Sequence, residues 1–308
     1  MKTIQFLKAR YATTILSIVG ICALWGLTFS RGGFNVGVDF KSGLSLTVLM
    51  NQSESSLADI RENLSSLANG IQVQKAENNQ IIIRVPSSDE ENFQESTEQK
   101  VIARLTQKYG AVEVLSSDFV GAGYSAAMIQ NAVLLVLGAL LVIMAYLWFR
   151  FELAYAVSAM LSTVHDVLFV IGFIGACQLE VNAATVAAVL TIIGYSLNDT
   201  IVIFDRIREN RYVEKRLSIQ EIIDLSITQT LSRTIITSLT TLLSIGAIVF
   251  LATGSVKLFA IEMVFGIIVG TYSSVFVAGA SLNAFYVYHA KKLAKQGGNG
   301  KQKKYAKA

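Results

Sequence analysis

Asp199 is a carboxylic acid in the middle of a segment that is otherwise apolar and long enough to cross a membrane. An ionised carboxylate in hydrocarbon costs on the order of 3 kcal/mol or more, so such a group is retained where it is paired, protonated or next to water. Thirty-four positions later, Arg233 brings a cation into the start of the next apolar segment. A carboxylate and a guanidinium on consecutive membrane helices suggest coupling to protons. Protons are therefore the expected coupling ion, and no other cofactor is implied.

Both charges lie beside further polar residues at helical spacing. Residues three or four positions apart share one face of a helix, so each segment carries a polar stripe. We predict that the stripes meet, with Asp199 alternating between a neutral acid and an ion pair with Arg233. The alternative is a static buried ion pair that fixes the register of the two helices. The stripe residues are Thr191, Tyr195 and Asn198 around Asp199, and Thr237, Thr240, Thr241 and Ser244 after Arg233.

His165 and Asp166 form a second candidate pair, near the centre of another apolar segment. A histidine beside a carboxylate can relay protons, but adjacent side chains on a helix point about 100° apart. The alternative is that one of the two only hydrogen-bonds a neighbouring helix, so both readings stay open. Glu180 and Glu262 lie close to the outer membrane interface, where we expect them to be solvated.

Other residue patterns favour packing over catalysis. Gly266, Gly270 and Ser274 recur at every fourth position, a spacing that lets membrane helices approach closely. Cys22 and Cys177 fall inside apolar segments without metal-ligand spacing. The sequence also lacks G-x-x-x-x-G-K-[ST], H-E-x-x-H and G-x-S-x-G motifs. It therefore predicts no enzyme and no metal site, but a protein driven by an ion gradient or a partner.

The composition predicts a polytopic membrane protein. Of the 308 residues, 53% are hydrophobic and 16% are charged, whereas soluble domains have about a quarter of their residues charged. The formal net charge of +4 is modest and concentrated at segment ends, which argues for membrane-flanking anchors and against nucleic-acid binding. Six segments reach the length of about 20 residues that a bilayer requires. They cover residues 12–30, 128–149, 154–176, 183–205, 234–253 and 258–288.

Basic residues are concentrated on one side of the predicted membrane. They precede the first span, join the second to the third, and follow the fourth and the sixth. The positive-inside rule places those loops and both termini in the cytoplasm. The predicted organisation is a cytoplasmic N-terminus with span one at 1–31, an extracytoplasmic domain at 32–125, spans two to six at 126–289, and a basic cytoplasmic tail at 290–308.

Residues 32–125 alternate between strand and helix patterns. The order βαββαβ is that of the ferredoxin-like split motif, so we predict an α+β domain of that fold. Because this fold hosts many functions, the expectation is a docking domain without chemistry of its own. The elements are strand Leu44–Met50, helix Ser55–Ala68, strands Ile71–Ala76 and Gln80–Val85 around a hairpin at Glu77-Asn78-Asn79, helix Glu90–Tyr109 and strand Val112–Leu115.

Four separated motifs resemble the SecF members of the SecD/SecF family of protein-export membrane proteins. They are the stretches Gly194–Asn210 around Asp199, Gly37–Gly43 after span one, Thr230–Ser238 around Arg233, and Gly266–Ser274. Together with six spans and a domain after the first, these motifs extend the resemblance over nearly the whole chain.

The resemblance implies half of a resistance-nodulation-division membrane bundle, which SecD would complete in the bacterial cytoplasmic (inner) membrane. It further implies work beside the SecYEG channel, often with YajC and YidC. There the proton-motive force completes translocation of preproteins that the ATPase SecA has pushed in. On matching positions, Asp199 and Arg233 are expected to carry proton coupling. The supporting polar face would be Tyr195, Asn198, Thr237 and Thr241, and the junction of span and domain would involve Gly37, Asp39 and Gly43.

Two other classes of function fit the same residues. A half-size proton-coupled exporter of small molecules or lipids would share the architecture and the carboxylate. A non-transporting scaffold of the translocon would tolerate neutralisation of Asp199 and Arg233, but would fail when Gly266 and Gly270 are enlarged.

Overall fold

The computed structural model of the chain describes residues 3–37, 39–50, 56–68, 71–75, 80–88 and 92–295. Two compact units are present. The larger consists of Met1–Asn35, Leu135–Glu180 and Ala184–Ala308, and the smaller of Val36–Leu134 and Val181–Ala183. Six helices are long and apolar enough to span a membrane, and an α/β region lies between the first two. The predicted fold class is confirmed.

The elements in chain order are α1 (Arg10–Ser30), β1 (Asn35–Val36), β2 (Gly43–Met50), α2 (Leu57–Leu64), β3 (Gln72–Lys75), β4 (Gln80–Pro86), α3 (Phe93–Tyr109), β5 (Val112–Val120), α4 (Ala122–Arg150), α5 (Leu153–Ala176), β6 (Glu180–Val181), α6 (Ala183–Val213), α7 (Ile219–Leu251), α8 (Gly254–Ser273) and α9 (Gly279–Lys295). A 3-10 turn, Phe6–Ala9, precedes α1, and a π-helical turn, Ser274–Ala278, joins α8 to α9. The last candidate span, Gly254–Lys292, therefore runs through both α8 and α9.

Helix α7 is longer than the predicted span at 234–253, because residues 219–233 before that span belong to the same helix. Its start is fixed by a capping box. The Ser218 hydroxyl accepts from the backbone nitrogen of Glu221 at 3.4 Å, and the Glu221 carboxylate accepts from the backbone nitrogen of Ser218 at 2.8 Å.

The smaller unit contains an antiparallel sheet of four strands in the order β3-β4-β2-β5, with α2 and α3 supplying further core residues. Alternate residues of β2 point into this core, as the period of two in a strand requires; Leu44, Leu46 and Val48 are fully buried. This is the predicted ferredoxin-like βαββαβ order. The expected hairpin at Glu77-Asn78-Asn79 lies outside the described residues.

The six candidate spans differ in how much surface they bury within the chain. About half of the apolar window of α5 and of α6 is buried, 56% and 50%, whereas the corresponding share is 6% for α4 and 11% for α7. Helices α5, α6 and α8 therefore form the packed centre of the larger unit. The exposed helices α4 and α7 leave broad faces for lipid or for another chain.

Candidate functional site

Asp199 lies on α6 and is 4% exposed, whereas Arg233 on α7 is exposed. Within residues 92–295, which the structure describes without a gap, no hydrogen bond or ion pair joins the two. The two residues thus lie on neighbouring helices without direct contact, and the predicted ion pair stays a prediction.

Tyr195 connects the two polar stripes. Its hydroxyl donates to the backbone oxygen of Thr237 at 3.0 Å and to the hydroxyl of Thr241 at 2.9 Å, so it ties α6 to α7. Asn198, by contrast, is exposed, and so is Thr191, which lies two turns earlier on the same face of α6. Three members of the predicted supporting face, Tyr195, Thr237 and Thr241, are therefore in contact. The fourth, Asn198, is exposed.

Asp166 is the most extensively hydrogen-bonded carboxylate of the larger unit. It is 0% exposed and accepts from the hydroxyl of Ser196 on α6 at 2.5 Å, from that of Ser273 on α8 at 2.7 Å, and pairs with His165 Nδ1 at 2.8 Å. We call these four residues the Asp166 cluster. The sequence left open a proton relay between His165 and Asp166 or a hydrogen bond from one of them to a neighbouring helix. Asp166 contacts both His165 and the neighbouring helices, because its two oxygens point in different directions.

His165 lies at the edge of this cluster. Its ring contacts Phe169 and Tyr272 at centroid distances of 4.9 and 6.2 Å, and its Nε2 is buried without a hydrogen-bond partner in the described part of the chain. Nδ1 is bonded to Asp166, so a proton relay through the ring would have to continue from Nε2. Among the described residues, no group is hydrogen-bonded to Nε2. The relay role of the pair stays a prediction.

Small residues on α8 allow α6 to approach closely. A Cβ atom at Gly266 would overlap the side chain of Ile192, and one at Gly270 would lie 3.1 Å from the Cβ of Ser196. This close approach lets Ser196 reach Asp166. Ser274 is buried and donates to the oxygen of Thr271 in its own helix, at the start of the π-helical turn.

Glu262 is a buried acid whose setting the sequence did not reveal. The expectation that it is solvated is wrong: the residue is 0% exposed, because the first turns of α6 cover it, and its Oε1 accepts from the Thr185 hydroxyl at 2.9 Å. Its burial could have been inferred from the sequence, because Glu262 lies four residues before Gly266 and so shares the face of α8 that packs against α6. Glu180, also expected to be solvated, is half-buried.

The residues assigned to the junction after span one, Gly37, Asp39 and Gly43, all belong to the smaller unit. The backbone nitrogen of Gly37 donates to the oxygen of Val181 at 2.8 Å, and an Asp39 carboxylate oxygen accepts from the nitrogen of Ala183, also at 2.8 Å. Asp39 thus satisfies a free backbone donor in the first turn of α6. Gly43 has φ +151°, and a Cβ there would overlap the oxygen of Val85.

Comparison with known proteins gives this arrangement its context. Residues 100–287 match the family model described as "Protein export membrane protein SecD/SecF, C-terminal". The chain belongs to the SecD/SecF family. The resemblance of its motifs to that family is therefore confirmed, and with it a multi-pass membrane protein of a transport family rather than an enzyme.

Individual members of the SecD/SecF family align over most of the chain. The protein translocase subunit SecF of Borreliella burgdorferi is 35% identical, over 90% of this chain and 96% of its own length. The subunit SecF of Rickettsia felis is 38% identical, over 91% of this chain and 90% of its own length.

Solved structures of SecDF show the same fold. The crystal structure of SecDF, a translocon-associated membrane protein from Thermus thermophilus, has a TM-score of 0.83 and 32% identity over 92% of this chain. SecDF in a super-membrane-facing form has a TM-score of 0.69, also at 32% identity. The chain spans 39% of the first SecDF chain and 40% of the second, so it corresponds to one part of that longer protein.

Proposed function

We propose that the chain acts as the SecF subunit of the Sec protein-export machinery and uses the proton-motive force together with SecD to promote preprotein translocation after the SecA-driven step. It would lie in the bacterial cytoplasmic membrane with both termini in the cytoplasm and its α/β domain outside. SecYEG, YajC and YidC are the further proposed partners. Sequence relatives named SecF and the fold shared with SecDF support this proposal.

One observation carries the need for a partner: the polar stripe of α7 is exposed in the isolated chain. Arg233, Thr240 and Ser244 are exposed on a helix whose apolar window is only 11% buried. The two hydroxyls donate to backbone oxygens of their own helix, but a guanidinium that faces lipid tails is costly, and membrane proteins place such a charge against another helix or a wet cavity. A second bundle of helices, as SecD would supply, covers this face.

The same stripe explains how a partner would turn Asp199 into a coupling site. Without a partner chain Arg233 is exposed, and a guanidinium at such a position draws water to the membrane face of the helix, which weakens its attraction to Asp199. When a partner excludes water, the attraction between Arg233 and an ionised Asp199 grows, and protonation of Asp199 abolishes it. Tyr195 holds α7 against α6 throughout, so a change in this attraction acts on both helices.

The membrane potential supplies enough energy per proton to change the packing of α6 and α7. One elementary charge that crosses a potential of 100 mV releases about 2.3 kcal/mol. That amount is enough to shift a two-state equilibrium between helix packings by more than tenfold, since about 1.4 kcal/mol corresponds to a factor of ten. Because the sequence has no nucleotide-binding motif, the proton gradient is the proposed energy source.

The test is preprotein export in cells whose only copy of the subunit carries Asp199→Asn. We expect the rate of the late export step to fall at least tenfold at normal protein level, because the variant side chain cannot change charge. Asp205→Asn is the matched control, since it makes the same chemical change on the same helix at a surface position paired with Arg150. Full export by Asp199→Asn would refute the proton role. Unchanged secretion with altered resistance to small molecules would favour an exporter instead.

A further inference from the structure

Glu262 is a buried acid that the proposed function does not use. Its side chain is fully buried in α8, one carboxyl oxygen accepts a single hydrogen bond from Thr185, and the other, Oε2, has no hydrogen-bond partner among the described residues. A buried oxygen without a partner is rare in native proteins and calls for a physical reason.

Comparison with Asp166 supplies that reason. Both carboxyls are 0% exposed, but Asp166 has three hydrogen-bond partners, two serine hydroxyls and an imidazole, whereas Glu262 has one, a hydroxyl. Burial without compensating donors or cations favours the neutral form of an acid. A protonated carboxylic acid needs fewer donors than a carboxylate, and its O–H accounts for the second oxygen. The geometry around Glu262, unlike that around Asp166, is therefore the one expected of a protonated acid.

The surroundings of Glu262 contain few other charges. On its own helix the nearest is Lys257, and before α6 it is Glu180. At the start of α6, the Asp39 carboxylate accepts from the backbone nitrogen of Ala183, two residues before Thr185. The outer halves of the two other helices that pack on α8, residues 167–176 of α5 and 240–251 of α7, contain no Asp, Glu, Lys, Arg or His.

Glu262 lies at a different depth in the membrane from Asp166 and Asp199. Its partner Thr185 precedes Ser196 by eleven residues on α6, which is about 16 Å along the helix axis. Between the two levels, Ile192 fills the space that Gly266 leaves open. Glu262 is thus separated by an apolar layer from the level of Asp166 and Asp199, on the side where α6 begins.

We propose that Glu262 is a second protonatable carboxyl of this membrane unit, which holds a proton on the outer side of the Ile192 layer. The proton would enter from the extracytoplasmic side, reside on the Glu262 carboxyl, and leave towards Asp199 when α6 and α8 separate at Ile192. The resulting Glu262 carboxylate would be held by Thr185 until it is reprotonated from outside. The direction of transfer rests on the proposed function, whereas the protonated state of Glu262 does not.

Infrared spectroscopy of the full chain in lipid nanodiscs tests the protonated state directly. At neutral pH we expect a carbonyl stretch of a protonated carboxylic acid that disappears in Glu262→Gln and persists in Asp166→Asn. Glu180→Gln is the matched control and should leave the band unchanged. In the wild type, carboxyl labelling of glutamate with ¹³C must shift this band, which shows that the acid is a glutamate even where a variant folds poorly. A wild-type spectrum without a glutamate component overturns the proposal.

Proton uptake by proteoliposomes that contain the chain and SecD tests the role in transfer. With an imposed proton gradient we expect Glu262→Gln to slow uptake at least tenfold and Glu262→Asp to restore part of the rate. Unchanged uptake in Glu262→Gln, with Asp199→Asn inactive, would overturn the role of Glu262 alone. If Asp199→Asn also leaves uptake unchanged, the proposed function fails, while a glutamate band in the infrared spectrum still establishes the protonated acid.

Discussion

Replacement of Ser196 by alanine removes one of the three hydrogen bonds of the Asp166 carboxylate and no other contact of comparable strength. The lost bond is the shortest of the three, at 2.5 Å, and it is the one that ties α6 to α5. The bonds from Ser273 and His165 remain. The variant therefore measures how much the Asp166 cluster holds α6 in position.

Two general magnitudes bracket the expected cost. A hydrogen bond to a charged group contributes about 1.5–3 kcal/mol in soluble proteins, whereas hydrogen bonds between membrane helices average about 0.6 kcal/mol with a maximum of about 1.7. Since the acceptor is a carboxylate with no access to water, we place Ser196→Ala near the upper membrane value, at about 1.5 kcal/mol. Simultaneous loss of Ser196 and Ser273 should cost more than the sum, because the charge then keeps a single partner.

The assay is reversible unfolding of the full chain in mixed micelles, followed by the loss of helical signal with denaturing detergent. Ser158→Ala is the matched control, because Ser158 is equally buried on α5 but donates only to Ala154 of its own helix, at 2.7 Å. We expect this control to change the unfolding free energy by less than about 0.5 kcal/mol. If Ser196→Ala costs no more than Ser158→Ala, the Asp166 cluster does not hold α6, and the reasoning from its geometry is refuted.

Two substitutions test close packing. Gly266→Leu should prevent normal assembly of α6 and α8, because even a Cβ at that position overlaps Ile192; folded yield is the measurement, and Gly246→Leu, whose Cβ meets nothing within 4 Å, is the control that should remain folded. Gly43→Ala should destabilise the smaller unit by about 1–3 kcal/mol in thermal unfolding, since φ +151° and the facing carbonyl oxygen both exclude a side chain. Gly121→Ala, between β5 and α4, has open space at its Cβ, and equal losses for Gly43→Ala and Gly121→Ala would contradict the steric argument.

Local periodicity was enough to determine the architecture. The six apolar segments and the βαββαβ order follow from how often hydrophobic residues recur, and a membrane or a small sheet core responds mainly to that pattern. The polar stripes on α6 and α7 were also readable, because residues at i and i+4 share a helix face whatever lies opposite. The contact from Tyr195 to Thr237 and Thr241 follows from those stripes.

The partners of each buried charge were decided by the tertiary structure alone. Periodicity assigns a side chain to a face, but burial depends on which helix covers that face and how closely it approaches. Gly270 leaves room for Ser196, whose hydroxyl donates to Asp166. The sequence predicted Asp166 only as a possible member of a proton relay, and the structure shows it as the acceptor that links these helices. Thr185 covers Glu262, which the sequence placed in solvent. Arg233, which belongs to an equally regular polar stripe, is exposed in the structure, because the helices packed around α7 cover only part of its surface; this is why the proposed site includes a second chain.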